Sequence, residues 1–537
     1  MTTPPYIGYN PNTGVNTLPG RVNFSTPAVG VINKIAASMA AAKNNNPVES
    51  LPWAPMTTLN SGGANQLRAN STAYVQGNTY MNAAGTHWFV VRVAGTSAAS
   101  EPASVTTPVV ATDPYNMGDI TDGSATVNWM GPVRVTAVQP GGPIVTAGAK
   151  ATQLTQQVYI ASGSGTPVAG AAANTSQFRF LNGTGGFNSV GAASQALVRG
   201  SSTTAALRST QYLGNYTLPT FGGNMIEFVT DATLIAMDIY GAAAFPNGLF
   251  AGQGIYIEVD GRRVCDGLFY PTVQLTQNNA YQILDFRTAG PRKNRTIRVA
   301  VNNIGTFSYI WVSPQDTVTA SQNPNRYTLA VVGDSEIFGS NSSPILAGMD
   351  MVTQFAELVG NDNFANLGVG GTGFVYNGAG LTYIQRLADV VALNPDVVWI
   401  QGAYNDSTAN GVTASQLLPA ALAYYQALRA ALPNALIIQA GTGGGVTPTV
   451  LQAVDAVLAA AVAQFNDNFT FFVPASTATP PWFSGTGYLG GTNGSGNSDI
   501  YVGPSDTTHP SQLGVAYMAS KMAQGFQNLI QSLVTSV

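Results

Sequence analysis

The chain is predicted to be multi-domain, with N-terminal β-modules leading into an α/β three-layer domain built on a five-stranded parallel sheet. Three observations predict it. A length of 537 residues exceeds what one hydrophobic core serves and gives roughly three domains. Between about residues 67 and 325, short alternating apolar runs are broken by Gly, Asn, Pro and Asp-Gly, the pattern of antiparallel β-structure. From residue 326 onward, five short apolar runs alternate with amphipathic segments, the pattern of a doubly wound sheet with right-handed crossovers. The divisions that follow are 1–66, 67–132, 133–325 and 326–537.

Residues 1–66 are polar and rich in Pro, Asn and Gly, and read as an attachment or oligomerisation segment. Within them Val29 to Lys43 places Ile32, Ile35, Ala36, Met39 and Ala40 at helical spacing. So short a helix is marginal alone in water, so it has a partner (a second copy or a docking site) or it frays. Residues 67–132 hold Ser71–Gly77, then Trp88-Phe89-Val90-Val91-Arg92-Val93, then Ile120-Thr121-Asp122-Gly123 running to Trp129, which together make a small β-module. Trp88 and Trp129 fill its core or stack on sugar rings, and the core role is favoured because so small a sheet needs large side chains to close. His87 reads as an ordinary strand histidine.

Residues 133–325 continue as strands, among them Val133–Val138, Met225–Val229, Gly254–Val259 with an Asp260-Gly261 turn, and Thr296–Val301, which argues for a β-sandwich. The Gly/Ala/Thr-rich stretch from 161 to 208 reads as linker or long loops.

In 326–537 the strands are Tyr327–Gly333, Phe364–Leu367, Pro395–Ile400, Ala435–Ala440 and Thr470–Val473. Helices are expected from about Ile345 to Val359, over 381–393, from a Thr413/Gln416 capping box, from Thr447-Pro448, and from after Pro510 to about Leu533. Pro419 is expected to end or bend the first turn of its helix.

Composition narrows the function. Charged residues are 9% of the chain against a usual value of about 25%, so the surface is covered by Asn, Thr, Ser, Gly and Ala, as on extracellular or virion β-proteins. A net charge of −4 gives no electrostatic case for nucleic acid or an anionic membrane. Cys265 is alone, so no intrachain disulfide or cysteine metal cluster forms. Met1-Thr2-Thr3-Pro4-Pro5-Tyr6 has neither a basic nor an apolar leader region, so no signal peptide is expected, and no membrane insertion either.

The chemistry concentrates at strand ends. Val331-Val332 stops at Gly333-Asp334-Ser335, and serine at the carboxyl end of a strand sits where an open α/β sheet opens its crevice. Gly370-Gly371 after the second strand lets a backbone N–H approach a substrate closely. Asn405 after the third strand offers an amide donor, and Asp506 and His509 stand three apart before the final helix. A serine hydroxyl needs a base, a group to orient that base, and donors for the oxyanion, and these residues are of those types. Asp334 and Asp406 read as loop-shaping acceptors.

Ser335, Gly371, Asn405 and the Asp506–His509 pair, in that order and setting, resemble the SGNH (GDSL-type) hydrolases. The resemblance implies Ser335 as nucleophile, His509 as general base and then acid, and Asp506 as the residue orienting His509. It implies an oxyanion hole from the backbone N–H of Ser335, that of Gly371 and the Asn405 side chain. Neither metal nor cofactor is implied. Two departures stand out: Ala403 where the family has Gly, and Glu336 directly after the serine, which is a candidate for substrate contact.

Residues 67–132 resemble a small module of phage tail proteins and some secreted glycan-acting enzymes. The Phe228–Asp231 strand and the Val259-Asp260-Gly261 hairpin resemble the jelly-roll before the catalytic domain of some carbohydrate esterases. Pro480-Pro481-Trp482-Phe483, Tyr488 and Tyr501 either wall a sugar pocket, with Trp482 and Tyr488 as substrate contacts, or pin a long loop. The function expected is a carbohydrate O-acetyl esterase of a phage tail spike or fibre, removing acetyl groups from capsule or O-antigen polysaccharide. Residues 1–66 would join it to other virion tail proteins, and tail-fibre analogy adds a homotrimer. The alternatives are a secreted acetylxylan-type esterase, a non-catalytic glycan-binding tail protein, and a lipase or thioesterase.

Overall fold

The computed structural model describes residues 26–40, 51–55, 67–74, 79–107, 119–160, 174–181, 187–188, 206–207, 224–241, 255–266, 281–301, 305–322, 326–339, 350–378, 381–444, 448–488, 496–503 and 507–536. Most of the 161–208 stretch lies outside them.

The helix expected near the start is α1, Thr26–Ala40, three residues earlier than its apolar spacing suggests. Ala28, Val31, Ile32 and Ile35 are buried, so the stripe has found its partner within this chain. That partner is the helix Gln512–Ser536 of the α/β domain. Lys34 Nζ adds a contact at 2.7 Å to Asp396, whose same oxygen accepts the Thr328 N–H at 2.8 Å.

The small module is a four-stranded antiparallel sheet, Thr79–Met81, His87–Val93, Ala125–Pro132 and Asp119–Asp122, joined in that order. Trp88 and Trp129 are 5% and 3% exposed and fill cores, which removes them as sugar platforms. His87 is half-buried, with Nδ1 3.0 Å from the Thr86 hydroxyl. The module is tied by Arg68, whose Nε and Nη2 donate to the two Asp122 oxygens at 2.8 and 2.7 Å, while Tyr80 donates to Asp122 at 2.7 Å. Burial pushes the Asp122 carboxyl up, and its Arg68, Tyr80 and Ala98 donors more than reverse this, so it titrates below its usual range. The stabilisation is present above the ordinary carboxyl range and is lost as pH falls through the depressed value. Asp122→Ala leaves a guanidinium buried without its carboxylate and should cost about 3–5 kcal/mol in denaturant unfolding. A loss below about 1 kcal/mol would show that the pair does not hold the module.

Among the described residues of 133–325, an antiparallel sheet of five strands and one of six share a core that includes Phe228, Ile257, Leu284 and Ile310, and Phe187–Asn188 pairs separately with Ala206–Leu207. The Asp260-Gly261 turn joins Ile255–Val259 to Arg262–Arg263 with φ of 52° and 78°, as an Asp-Gly hairpin requires. Val133–Val138, expected as a strand, is not one. It connects the module to the sandwich, with Val133 donating to Thr86 O at 2.9 Å. Arg298 bridges onward to the α/β domain, meeting Glu227 at 2.7 Å and Asp362 at 3.1 Å.

The α/β domain is a parallel sheet of β1 (Leu329–Gly333), β2 (Phe364–Gly368), β3 (Val397–Gln401), β4 (Leu436–Ala440) and β5 (Thr470–Val473), in the order β2-β1-β3-β4-β5. Every residue of these strands is buried, as expected of a sheet covered on both faces. Val332, Ile400 and Ile437 point to one side, where α4 (Leu387–Leu393), α5 (Ala414–Ala431) and α6 (Pro448–Phe465) pack. Val331, Trp399 and Ile438 point to the other, toward α3 (Met351–Leu358) and α7 (Gln512–Ser536), with Phe355 5.0 Å from the Trp399 ring. The helix α2 (Ser335–Phe338) is a single turn directly after β1.

The capping box forms, with the Thr413 N–H donating to Gln416 Oε1 at 2.9 Å. Pro419, however, does not end α5, which runs through it. Its ring is exposed, and the lost N–H would have bonded Ser415 O, an exposed residue in the first turn. By length and composition α6 passes for a membrane span, but Leu451, Val454 and Leu458 are buried in the domain core.

Candidate active site

Strand order reverses between β1 and β3, and there the loops after β1, β2 and β3 converge. Gly333 ends β1 because α2 starts flush against the sheet: a Cβ there would stand 2.2 Å from Gln401 O and 2.4 Å from Ile337 Cγ1. Asp334 caps α2, its Oδ1 accepting the Glu336 N–H at 3.1 Å. Ser335 follows, half-buried.

The β2 loop passes over that serine. A Cβ on Gly370 would be 3.6 Å from Ser335 Cβ, and Gly371 has φ +67°, where a side chain is costly. Asn405 after β3 donates from Nδ2 to Thr372 O at 2.9 Å. Asp406 accepts the backbone N–H groups of Phe374, Val375 and Tyr376 at 2.6, 2.9 and 2.8 Å. The two loops are therefore stitched to each other. An amide carries two N–H donors: one from Asn405 fixes the loop, and the second is the candidate oxyanion donor. Asp334 and Asp406 act as the loop-shaping acceptors expected of them. Ala403, the family's glycine position, holds φ +78°, so its methyl carries a left-handed penalty of about 1–2 kcal/mol.

His509 stands on the segment entering α7, anchored by a bridge between Val502 and Pro510 and by the Gly503 N–H donating to His509 O at 2.8 Å. It lies close enough to Asp334 to act on that carboxyl electrostatically. Burial pushes Asp334 up, the Glu336 N–H and the His509 charge pull it back, and it rests at about 6. Asp506 lies outside the described residues. Among the described residues no group of three or more His, Cys, Asp or Glu is placed to hold a metal.

Two of the expected substrate contacts, Trp482 and Glu336, are turned inward. Trp482 is 3% exposed and Phe483 6%, and Tyr517 of α7 donates to Trp482 O at 2.8 Å. Tyr501 stacks on Tyr517 at 3.9 Å, and Tyr488 packs against the same core. These aromatics pin the loop to α7, because a long excursion without regular structure needs apolar anchors. Glu336 is 2% exposed, and α2 turns it inward under the serine.

Two buried charges supporting the site were not singled out from the sequence. Arg386, 4% exposed, donates to Leu367 O at 2.7 Å, Gly333 O at 3.1 Å and Thr372 Oγ1 at 3.1 Å, which ties the ends of β1 and β2 to the oxyanion loop. Asp455 accepts the Thr442 N–H at 2.6 Å and the Ser476 N–H at 2.9 Å, joining the loops after β4 and β5. Their signal was a single charge on an otherwise apolar helical stripe.

Residues 331–517 match the GDSL-like Lipase/Acylhydrolase family. No curated protein matches the chain. Among solved structures, it is similar to a family two carbohydrate esterase from Cellvibrio japonicus at 12% identity, covering 72% of this chain and 99% of that one with a TM-score of 0.43. It is also similar to an acetyl xylan esterase from the rumen bacterium Butyrivibrio proteoclasticus, at 12% identity, 70% and 98% coverage and a TM-score of 0.40. A family two carbohydrate esterase from Clostridium thermocellum in complex with cellohexaose matches at 14% identity, 58% and 94% coverage and a TM-score of 0.40. The segment that brings Ser335, Asn405 and His509 to one end of the sheet is thus the part of the chain that matches the GDSL-like Lipase/Acylhydrolase family.

Proposed function

We propose that the protein is a serine esterase that removes acetyl groups from O-acetylated polysaccharide at a cell surface. One observation carries the esterase reading: the Gly370–Tyr376 and Ala403–Asp406 loops are bonded into a single rigid frame over Ser335 by Asn405 and Asp406. Acyl transfer is limited by stabilisation of the charge that develops on the carbonyl oxygen, and donors held rigidly before reaction supply it.

In the mechanism inferred, His509 takes the Ser335 proton as the hydroxyl oxygen attacks the ester carbonyl. The oxyanion is met by the Ser335 and Gly371 N–H groups and the Asn405 amide. The bond to the alcohol oxygen breaks, and that oxygen takes the proton from His509. Water, deprotonated by His509, then attacks the acyl-serine carbonyl, the bond to the Ser335 oxygen breaks, and that oxygen takes the proton back from His509 as acetate leaves. Asp506 is assigned the role of fixing the histidine tautomer.

A charge-poor surface and the likeness of the preceding β-modules to phage tail and carbohydrate-esterase parts support the polysaccharide substrate and a virion setting. There the chain acts as a tail spike or fibre component on capsule or O-antigen. Joining of residues 1–66 to other tail proteins and a homotrimeric state belong to the same proposal. Incubation with a panel of acetylated capsule and O-antigen polysaccharides, with acetate read by NMR, tests it. Acetate from at least one, absent with Ser335→Ala, is expected. Hydrolysis confined to long-chain p-nitrophenyl esters would make the enzyme a lipase, and no hydrolysis of any ester would leave a glycan binder.

A further inference from the structure

Glu336 is a carboxyl that the mechanism above does not use, one residue from the nucleophile. It is 2% exposed, and both of its oxygens are buried without a hydrogen-bond partner among the described residues. Gly444 and Tyr404 bound it on the far side: a Cβ on Gly444, whose φ is +138°, would lie 2.6 Å from Glu336 Oε1 and 3.2 Å from Tyr404 Cδ2. Tyr404 directly precedes Asn405, and its backbone N–H donates to Asp334. The Glu336 carboxyl thus occupies the gap between the turn carrying Ser335 and the loop carrying the candidate oxyanion donor.

We propose that Glu336 is a positioning residue that works as a neutral acid, its uncharged carboxyl holding the Ser335 turn and the Tyr404–Asn405 loop apart at the right spacing. Acyl transfer, on the esterase reading above, proceeds only while that carboxyl keeps its proton. Among the described residues an ionised carboxylate here has no donor to satisfy it, and Asp334 two residues away repels it. The other titratable groups around the pair are Tyr404 and Asp406 on the β3 loop, Tyr383 from the segment before α4, and His509. Burial raises the Glu336 carboxyl most, and Asp334, the facing group whose charge acts on it, adds in the same direction, so the proton is held well above the ordinary carboxylic range. A negative charge at this place would also oppose the oxyanion forming beside Ser335.

The sign is fixed by linkage. A carboxyl raised on folding binds its proton more tightly in the folded state, so its contribution is complete at low pH and declines as pH rises toward and through the raised value. Glu336→Gln keeps the shape and the neutral state at every pH. The test measures kcat and KM on a short-chain ester from pH 5 to 10, with melting temperatures in parallel, for wild type, Glu336→Gln and Glu336→Ala. Expected are an alkaline fall in wild-type kcat approaching about tenfold per pH unit, with KM unchanged, and a Gln variant within about twofold of wild type at pH 6 that lacks the fall. The melting temperature of the Gln variant should gain on wild type as pH rises, and the Ala variant should lose kcat at every pH. An alkaline fall that persists in the Gln variant, or a Gln variant as slow as Ala at pH 6, overturns the proposal. A folded wild type inactive at all pH values, with Ser335 unreactive to an organophosphate, overturns the esterase reading itself, and the melting temperatures then still report whether Glu336 holds the proton.

Discussion

Ser335→Ala and His509→Ala should each lower kcat/KM on a short-chain ester by about 10⁴-fold or more, and the double variant should be scarcely worse than either single. The reason is that the two act as one unit: the hydroxyl is a poor nucleophile until its proton leaves, and the imidazole has no other proton to take in acylation. Their folding cost should be small, because Ser335 and His509 are both half-buried and neither belongs to the sheet core. Residual hydrolysis from the oxyanion donors and substrate binding should remain above the uncatalysed rate. Singles that multiply in the double variant would show independent roles, and a His509→Ala enzyme retaining a tenth of wild-type activity would remove His509 as base.

Asn405→Ala should lower kcat by about 10²–10³-fold while KM changes little, since the second amide N–H is strengthened only when charge develops on the carbonyl oxygen. The same substitution removes the bond to Thr372 O, which predicts a stability loss of about 1 kcal/mol. The two effects separate by measurement. Asn405→Asp keeps the size but presents acceptors to both Thr372 O and the oxyanion, so it should be at least as slow as Ala. A kcat loss of the size expected from the melting shift alone would reduce Asn405 to a loop fastener.

The α/β domain was legible because its strands are buried on both faces and so read as unbroken apolar runs, and because its reactive residue types fall at the ends of those runs. The Thr413/Gln416 box was legible because it is local. What was not legible depends on distant partners. Arg386 looks like a helix-surface charge until β1 and β2 bring Gly333 O and Leu367 O over it. Glu336 looked accessible because it follows the nucleophile, and only the pitch of the single-turn α2 sends it inward. Trp482 looked like a sugar platform because composition cannot distinguish a ring lining a pocket from one buried under a loop. Pro419 was overweighted, since a proline near an exposed helix start forfeits one bond and little else. The consequence of Ala403 was not legible, since the cost of its methyl depends on a backbone angle that no local pattern reveals.

The docking of α1 on α7 joins residues 26–40 to residues 512–536, so the catalytic domain is not closed by its own segment of chain alone. During synthesis, Val31, Ile32 and Ile35 emerge well before the helix that covers them, and the apolar stripe stays wet until residues 512–536 have followed. Completion of the α/β core then waits on two segments far apart in sequence, and an excised 326–537 fragment would present that seam to solvent as a sticky surface.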